Sequence, residues 1–265
     1  MSDAPEASLP LSFHALPGLP EISPGDDLAG LVAAAIDRAG LSPSQGDVLL
    51  IAQKAVSKAE GLTRKLSDVT PTERARDLAA ETGKDAAYVQ VVLDESTSVV
   101  ALRRGVIITE HVSGAIMANA GIDRSNIAGG ASGEVCLLPR DPDASALRLR
   151  AALEPIAASR GWDWRPAVII TDSWGRPFRM GTVGFALGVA GLAPRADLRG
   201  MVDRHGRPLE TSDLAVADAL AAAADFVMGQ AGEGTPAVLA RGVRRAPGDG
   251  GARDLLRPQA EDLFR

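Results

Sequence analysis

The feature that most limits how this chain can fold is Val168-Ile-Ile-Thr171, an apolar run that stops on Asp172-Ser173 and then on Trp174-Gly-Arg-Pro177. Such a run reads as a buried strand. In open α/β sheets ligands gather at the carboxyl ends of strands, so an acid placed there is first a handle for metal or phosphate. A second buried strand is expected over Asp47–Gln53 (DVLLIAQ) and a short last one over Pro236–Leu239, while β-branched Val99–Ile108 also reads as extended.

Helical segments separate these runs. Thr70-Pro71-Thr72-Glu73 combines an N-cap, a proline at the first helical position and a capping-box glutamate. This predicts a helix to about Glu81, ended by Gly83. Asp141-Pro142-Asp143 repeats the cap-then-proline signature before a helical run over Ala144–Ser159. Asp213–Met228 is Ala-rich with apolar residues at helical spacing. Strands and helices alternate, so the predicted class is mixed α/β. Residues 1–12 read as a loose leader, 13–245 as the folded domain (open to division into two subdomains), and 246–265, with Pro247-Gly-Asp-Gly-Gly251, as a flexible tail.

Composition narrows the function. A chain of 265 residues, 46% hydrophobic and 23% charged, can bury a large core. Its formal charge of −6 argues against a nucleic-acid binder, which needs clustered Lys and Arg. Cys136 is the single cysteine, which excludes an intrachain disulfide or thiolate cage, and it reads as a small buried apolar residue. Met1–Pro10 lacks the basic flank and apolar centre of a secretion signal. Gly-rich Val183–Ala193 is well short of the ~20 residues of a membrane span. A soluble, cytoplasmic protein with neither nucleic-acid nor membrane partners is expected.

Several clusters carry possible chemistry. Asn119-Ala-Gly121-Ile-Asp123-Arg-Ser125-Asn126 holds the acids, amides and hydroxyls that surround hard cations, although the same residues also make turns. Paired with Asp172, Asp123 fits a Mg²⁺ or Mn²⁺ site at a nucleotide, where one or two carboxylates work with waters and phosphate oxygens. Gln53, Lys54 and Lys58 follow a strand, where ammonium groups either meet phosphate or are simply solvated. Met228-Gly229-Gln230-Ala231-Gly232-Glu233-Gly234 is glycine-rich enough for close approach to phosphate, and Gly229 serves equally as a helix C-cap. No Walker A loop and no G-x-G-x-x-G after a strand occurs, so any nucleotide site is neither P-loop nor Rossmann. His14, His111 and His205 are scattered singly and argue against a His-based zinc site. Trp162 and Trp164 read as packing, and Trp174 is placed to line a pocket beside Asp172.

Taken together, Leu16–Ile22, Ala52–Gly61, Ala118–Asn126, Leu137–Asp143, Thr171–Pro177, Asp197–Gly200 and Met228–Gln230, in order along the chain, resemble the coenzyme F420:L-glutamate ligase family. The resemblance implies a mixed α+β fold of that type, a homodimer, and GTP-dependent addition of L-glutamate to coenzyme F420-0. On the family pattern Asp123 and Asp172 hold divalent metal (Mg²⁺ or Mn²⁺), Ser173 and Gln230 complete a second metal site, and Asn126 contacts the nucleotide. Leu19, Pro20, Glu21, Ile22, Gln53, Lys54, Lys58 and the loop Met228, Gly229, Gln230, Ala231, Gly232, Glu233, Gly234 and Thr235 surround the GTP. Ser173 stands where the family more often has Thr, which keeps a hydroxyl. A K⁺ requirement and the number of glutamates added stay open. With about twenty residues beyond Gly242, the nitroreductase-like second domain of some relatives is not expected.

The implied chemistry is phosphoryl transfer from GTP to a carboxylate, giving an acyl phosphate that the glutamate amine attacks. It uses metals and cations rather than a nucleophilic triad. Arg176 and Arg179, following the metal acid, are added as a candidate clamp for a substrate carboxylate or phosphodiester, with Lys58 as the third catalytic candidate. Two other classes are weighed: a metal-dependent phosphohydrolase using Asp141-Pro-Asp143 after an apolar strand, and a nucleotide-sensing module that transfers nothing.

Overall fold

The computed structural model describes residues 10–123, 133–243 and 248–263. In chain order the elements are β1 (Ser12–Ala15), α1 (Leu28–Arg38), β2 (Val48–Ala52), α2 (Gln53–Ala59), β3 (Thr63–Lys65), α3 (Glu73–Thr82), α4 (Ala86–Asp94), β4 (Ser96–Arg103), β5 (Val106–His111), β6 (Ile116–Ala118), β7 (Glu134–Cys136), α5 (Pro142–Ser159), β8 (Val168–Arg176), β9 (Arg179–Ala190), β10 (Ala196–Asp197), β11 (Asp213–Leu214), α6 (Val216–Met228) and β12 (Ala237–Arg241). The fold is mixed α+β, as the resemblance implies.

A five-stranded sheet in the order β1-β12-β2-β8-β9 forms the centre. Its β2–β8 pair is parallel and its other neighbours are antiparallel. Because side chains alternate across a strand, consecutive apolar residues feed two cores at once. Leu49, Ile51, Val168, Ile170 and Leu239 pack under α1 and α5. Val48, Leu50, Ile169, Val238 and Ala240 pack under α6. Each such Leu, Ile or Val, removed from water, contributes about 1.5–3 kcal/mol. The continuous apolar runs in β2 and β8 are therefore the signature of a sheet covered on both faces.

A second layer of structure lies between β3 and β7. Helices α3 and α4 pack with a three-stranded sheet, β4-β5-β6, around Ala75, Ala79, Val89 and Ile107, and around Tyr88, Val91, Val92 and Val135. Arg140 donates twice to the buried Glu95 carboxylate, at 3.1 and 3.2 Å, tying this region to the entry of α5.

Local signals hold in part. Asp141 caps α5 by accepting the Ala144 N–H at 3.1 Å, with Pro142 at the first turn. Helix α3 ends at Gly83, which takes the left-handed conformation (φ 71°) as expected. Its cap, however, is Thr72 rather than Thr70. Thr72 is anchored from outside the helix, its N–H and hydroxyl both donating to Gln90 of α4. The run Val99–Ile108 is extended, as expected, but is folded back on itself: Val99–Arg103 ends β4 and Val106–Ile108 begins β5, around a turn with Gly105 at φ 88°.

Strand β8 does not stop at Thr171. It runs on to Arg176, paired with β9, so Asp172 and Ser173 lie within a strand rather than on the turn after one. What ends at Thr171 is the pairing with β2, whose last partner is Ala52. Strand β9 has a packing reason for its glycines. A Cβ on Gly184 would lie 2.6 Å from the Ala221 carbonyl oxygen and from Asp225 Cβ, and one on Gly188 would lie 2.3 Å from the Pro142 carbonyl oxygen. These positions let α6 and α5 cross the sheet in direct backbone contact.

The terminal segments are more built than composition suggests. Ser12, counted in the leader, already pairs with Arg241. In the expected tail, Ala252–Leu255 forms a 3₁₀ turn whose Ala252 is buried. Asp143 holds it: Oδ1 accepts the N–H of Ala252 at 2.7 Å and of Val189 at 2.8 Å, and Oδ2 accepts Arg253 N–H at 3.4 Å. Among the described residues no helix is long and apolar enough to cross a membrane.

Candidate functional site

The site forms where β2 and β8 part company. At Ala52 the chain passes from strand straight into α2, so Gln53, Lys54 and Lys58 are delivered beside Thr171 and Asp172 without an intervening loop. Lys54 and Lys58, four apart on one short helix, share a face. Gln53 is buried and accepts a hydrogen bond from the Ser57 hydroxyl at 2.9 Å, which fixes the first turn. Lys58 pairs with Glu21 of the segment before α1.

Asp123 arrives by an unusual route. Asn119, Ala120 and Gly121 are three consecutive left-handed residues (φ 54°, 53° and 67°). For the two that are not glycine this conformation costs on the order of 1–2 kcal/mol each. The turn brings Asp123 to a two-way backbone bridge with Cys136, N–H to carbonyl at 3.1 and 2.9 Å. From there its carboxylate meets Lys54 Nζ at 2.5 Å. Cys136 is buried, as the sequence suggests, and burial pushes its thiol up.

The third wall is β8 with the loop after α6. Asp172 Oδ1 accepts its neighbour's N–H, from Ser173, at 2.9 Å. The Ser173 hydroxyl donates to Gln230 Oε1 at 2.9 Å, and Gln230 Nε2 donates to Asp225 Oδ1 at 2.5 Å. Gly229 (φ 77°) makes this possible, turning the chain out of α6 with its N–H on the Asp225 carbonyl, so that Gln230 doubles back. Burial raises the Asp172 carboxyl to about 7; the Ser173 N–H opposes this, and the nearby Asp123 and Asp225 reinforce it. Asp225 is also raised, chiefly by burial.

Together these walls enclose a cleft of about 920 Å³, within the range of small-molecule sites. Leu19, Pro20, Glu21, Ile22, Gln53, Lys54, Lys58, Asp123, Asp172, Ser173 and the loop Met228–Thr235 all line it. Asn126 lies outside the described residues. Arg176 and Arg179, expected as a substrate clamp, are not among the residues that line this cleft. The strand continues past Asp172, and four more residues carry the chain ~13 Å away. At the hairpin tip, Arg176 donates to the Gly181 carbonyl at 3.1 Å. Trp174 likewise turns to a neighbouring cavity, stacked on Phe185 at 4.6 Å between ring centroids. Asp225 lines the cleft but was missed by sequence reasoning. The available signal was an acid in the last turn of a helix, where the helix dipole disfavours it.

The donors suit a hard divalent cation. Two carboxylates, a hydroxyl and an amide are all oxygen donors, and Thr171 Oγ1, buried at the cleft wall, has no hydrogen-bond partner among the described residues. Among the described residues no three His, Cys, Asp or Glu side chains form a ready cage. The set therefore matches Mg²⁺ or Mn²⁺, which keep waters and take phosphate oxygens, better than a fully protein-enclosed metal. The phosphohydrolase candidates Asp141 and Asp143 are outside the cleft, occupied in capping α5 and clamping the 252–255 turn.

The F420-0:gamma-glutamyl ligase family model matches residues 18–242. The chain is 44% identical over 257 residues to the coenzyme F420:L-glutamate ligase of Methanothermobacter thermautotrophicus, covering 96% of this chain and 99% of that protein. It is 45% identical to the protein so named from Methanopyrus kandleri, covering 92% and 94%, and 41% identical to that of Archaeoglobus fulgidus, covering 94% of each.

Proposed function

Given that this chain belongs to the F420-0:gamma-glutamyl ligase family, we propose that it joins L-glutamate to coenzyme F420-0 with GTP as phosphoryl donor. The observation that carries this is the convergence of Lys54, Lys58, Asp123, Asp172, Ser173 and Gln230 on one cleft of nucleotide size. A carboxylate is a poor electrophile and needs activation. An F420-0 carboxylate oxygen attacks the γ-phosphorus of GTP, the bond to the β–γ bridging oxygen breaks, and GDP leaves. The glutamate amine then attacks the acyl carbon, phosphate departs with the bonding pair, and the amine proton is lost to solvent or a carboxylate.

The residues of the cleft are arranged for an exchange of partners. Lys54 pairs with Asp123 and Lys58 with Glu21. A metal-loaded triphosphate offers each ammonium a phosphate and each carboxylate a cation. Asp123 and Asp172 would hold one metal, and Ser173 and Gln230 a second. When bound, these ions would neutralise charge on the transferring phosphoryl group. The glycines of Met228–Thr235, which lines the cleft, would let backbone approach a phosphate closely. A homodimer fits the exposed apolar side chains of Phe178, Met180 and Phe226.

Incubation with GTP, Mn²⁺, L-glutamate and F420-0 tests this. The expected result is glutamate-dependent GDP release and a coenzyme heavier by one or more glutamyl residues. GTP loss without glutamate in the product supports a hydrolase instead, and binding alone supports a sensor. Asp172→Asn is expected to lower kcat by about 100-fold or more. A folded D172N enzyme with full metal-dependent activity overturns the assignment.

A further inference from the structure

We propose that Asp225 is a positioning residue that fixes which end of the Gln230 amide faces the cleft. This rests on Ser173 and Gln230 forming the second metal site proposed above. A side-chain amide has one end that ligates a cation and one that cannot, and only its surroundings decide which is presented. The Asp225 carboxylate takes the Gly184 N–H and so presents acceptor oxygens to the next group it meets. Asp225 therefore selects the NH₂ end of Gln230, at 2.5 Å, and leaves Oε1 toward Ser173, at 2.9 Å.

The placement of Asp225 is itself constrained. It stands in the last turn of α6, where its charge opposes the helix dipole, and no basic residue in that turn offsets it. It is pressed against β9 at Gly184, where any Cβ would collide with Asp225 Cβ at 2.6 Å, and it also accepts the Gly184 N–H. Its backbone carbonyl takes the Gly229 N–H that turns the chain toward Gln230. One residue thus fixes the start of the loop and the orientation of its first polar side chain. Partners that orient a metal ligand commonly govern affinity by 10–100-fold.

The test is a two-by-two cycle in Mn²⁺ binding to the full chain with a non-hydrolysable GTP analogue, free Mn²⁺ being read by electron paramagnetic resonance. Glutamate at position 230 has two equivalent oxygens and needs no orienting, so Gln230→Glu removes the proposed role while keeping a ligand. Asp225→Ala is expected to weaken the second Mn²⁺ by about 10-fold in the Gln230 background. In the Gln230→Glu background the same change costs nothing or tightens binding, because a like charge is removed. Equal losses in both backgrounds, or no loss in the first, overturn the proposal. If Asp225→Ala does not fold, Asp225→Leu, which preserves the volume, takes its place in the cycle under the same criteria. A wild-type protein that binds only one Mn²⁺ defeats the underlying metal assignment, a result distinct from failure of the cycle.

Discussion

Replacing Asp172 by Asn in the metal-free protein is expected to change how stability depends on pH. Burial raises this carboxyl from 3.8 to about 7, so the native state keeps a proton that the unfolded chain has already released. A raised group contributes stability at low pH that is lost as pH climbs toward its native value. Between about pH 4 and 7 the loss is ~1.4 kcal/mol per pH unit. Integrated from pH 5 to pH 8 it reaches about 2.5 kcal/mol, and partial solvent access brings the expected effect to about 1–2.5 kcal/mol. Asn keeps the shape and the acceptor for Ser173 N–H but cannot ionise. Urea unfolding of both proteins at pH 5 and pH 8, with EDTA present, measures this. The advantage of Asp172→Asn over wild type should widen by that amount at the higher pH. A stability difference that is constant across the two pH values would refute the argument. Saturating Mn²⁺ should reverse the trend, because a cation favours the ionised carboxylate and binding it releases a proton.

Two further outcomes follow from packing. Gly184→Ala inserts a methyl group against the Ala221 carbonyl and Asp225, and should lower stability by about 1–3 kcal/mol in thermal or urea unfolding, with weaker Mn²⁺ binding through displaced Asp225. Asp143→Ala leaves the N–H groups of Val189, Ala252 and Arg253 without their acceptor. It should cost about 1–3 kcal/mol and speed amide exchange in Ala252–Leu255, while ligase turnover stays within a few-fold of wild type.

The legible part of the site was its chemistry. Asp123, Asp172, Lys54, Lys58 and the Met228–Thr235 loop stand out because acids, ammonium groups and glycines gathered at the ends of apolar strands are the residue types that a phosphate and a hard cation require, although each alone also reads as a turn, a cap or a solvated group. Asp225 was not legible. In the sequence it is one acid in an Ala-rich helix, and its meaning depends on Gln230 folding back across a Gly229 turn. That Arg176 and Arg179 stand away from the cleft lining was not legible for a related reason: the run Asp172–Arg176 has no breaker strong enough to reveal whether the chain turns or continues. Pairing with β9 decides that it continues, and β9 itself is hidden by glycines that reflect contacts with α5 and α6 rather than a loop.

Local pattern therefore determined the two-faced burial of β2 and β8, the N-cap of α5, the stop of α3 and the residue types that a phosphate and a hard cation require. These depend on interactions within a few residues, or on burial alone, and the sequence carries both. Tertiary structure decided which of those residues meet. Asp123 reaches Lys54 only through three left-handed residues and a bridge to Cys136, and Asp172 faces the cleft because β2 ends beside it while β8 does not. Contacts between residues far apart in the chain are set by how helices and strands pack, and no spacing within the sequence encodes them.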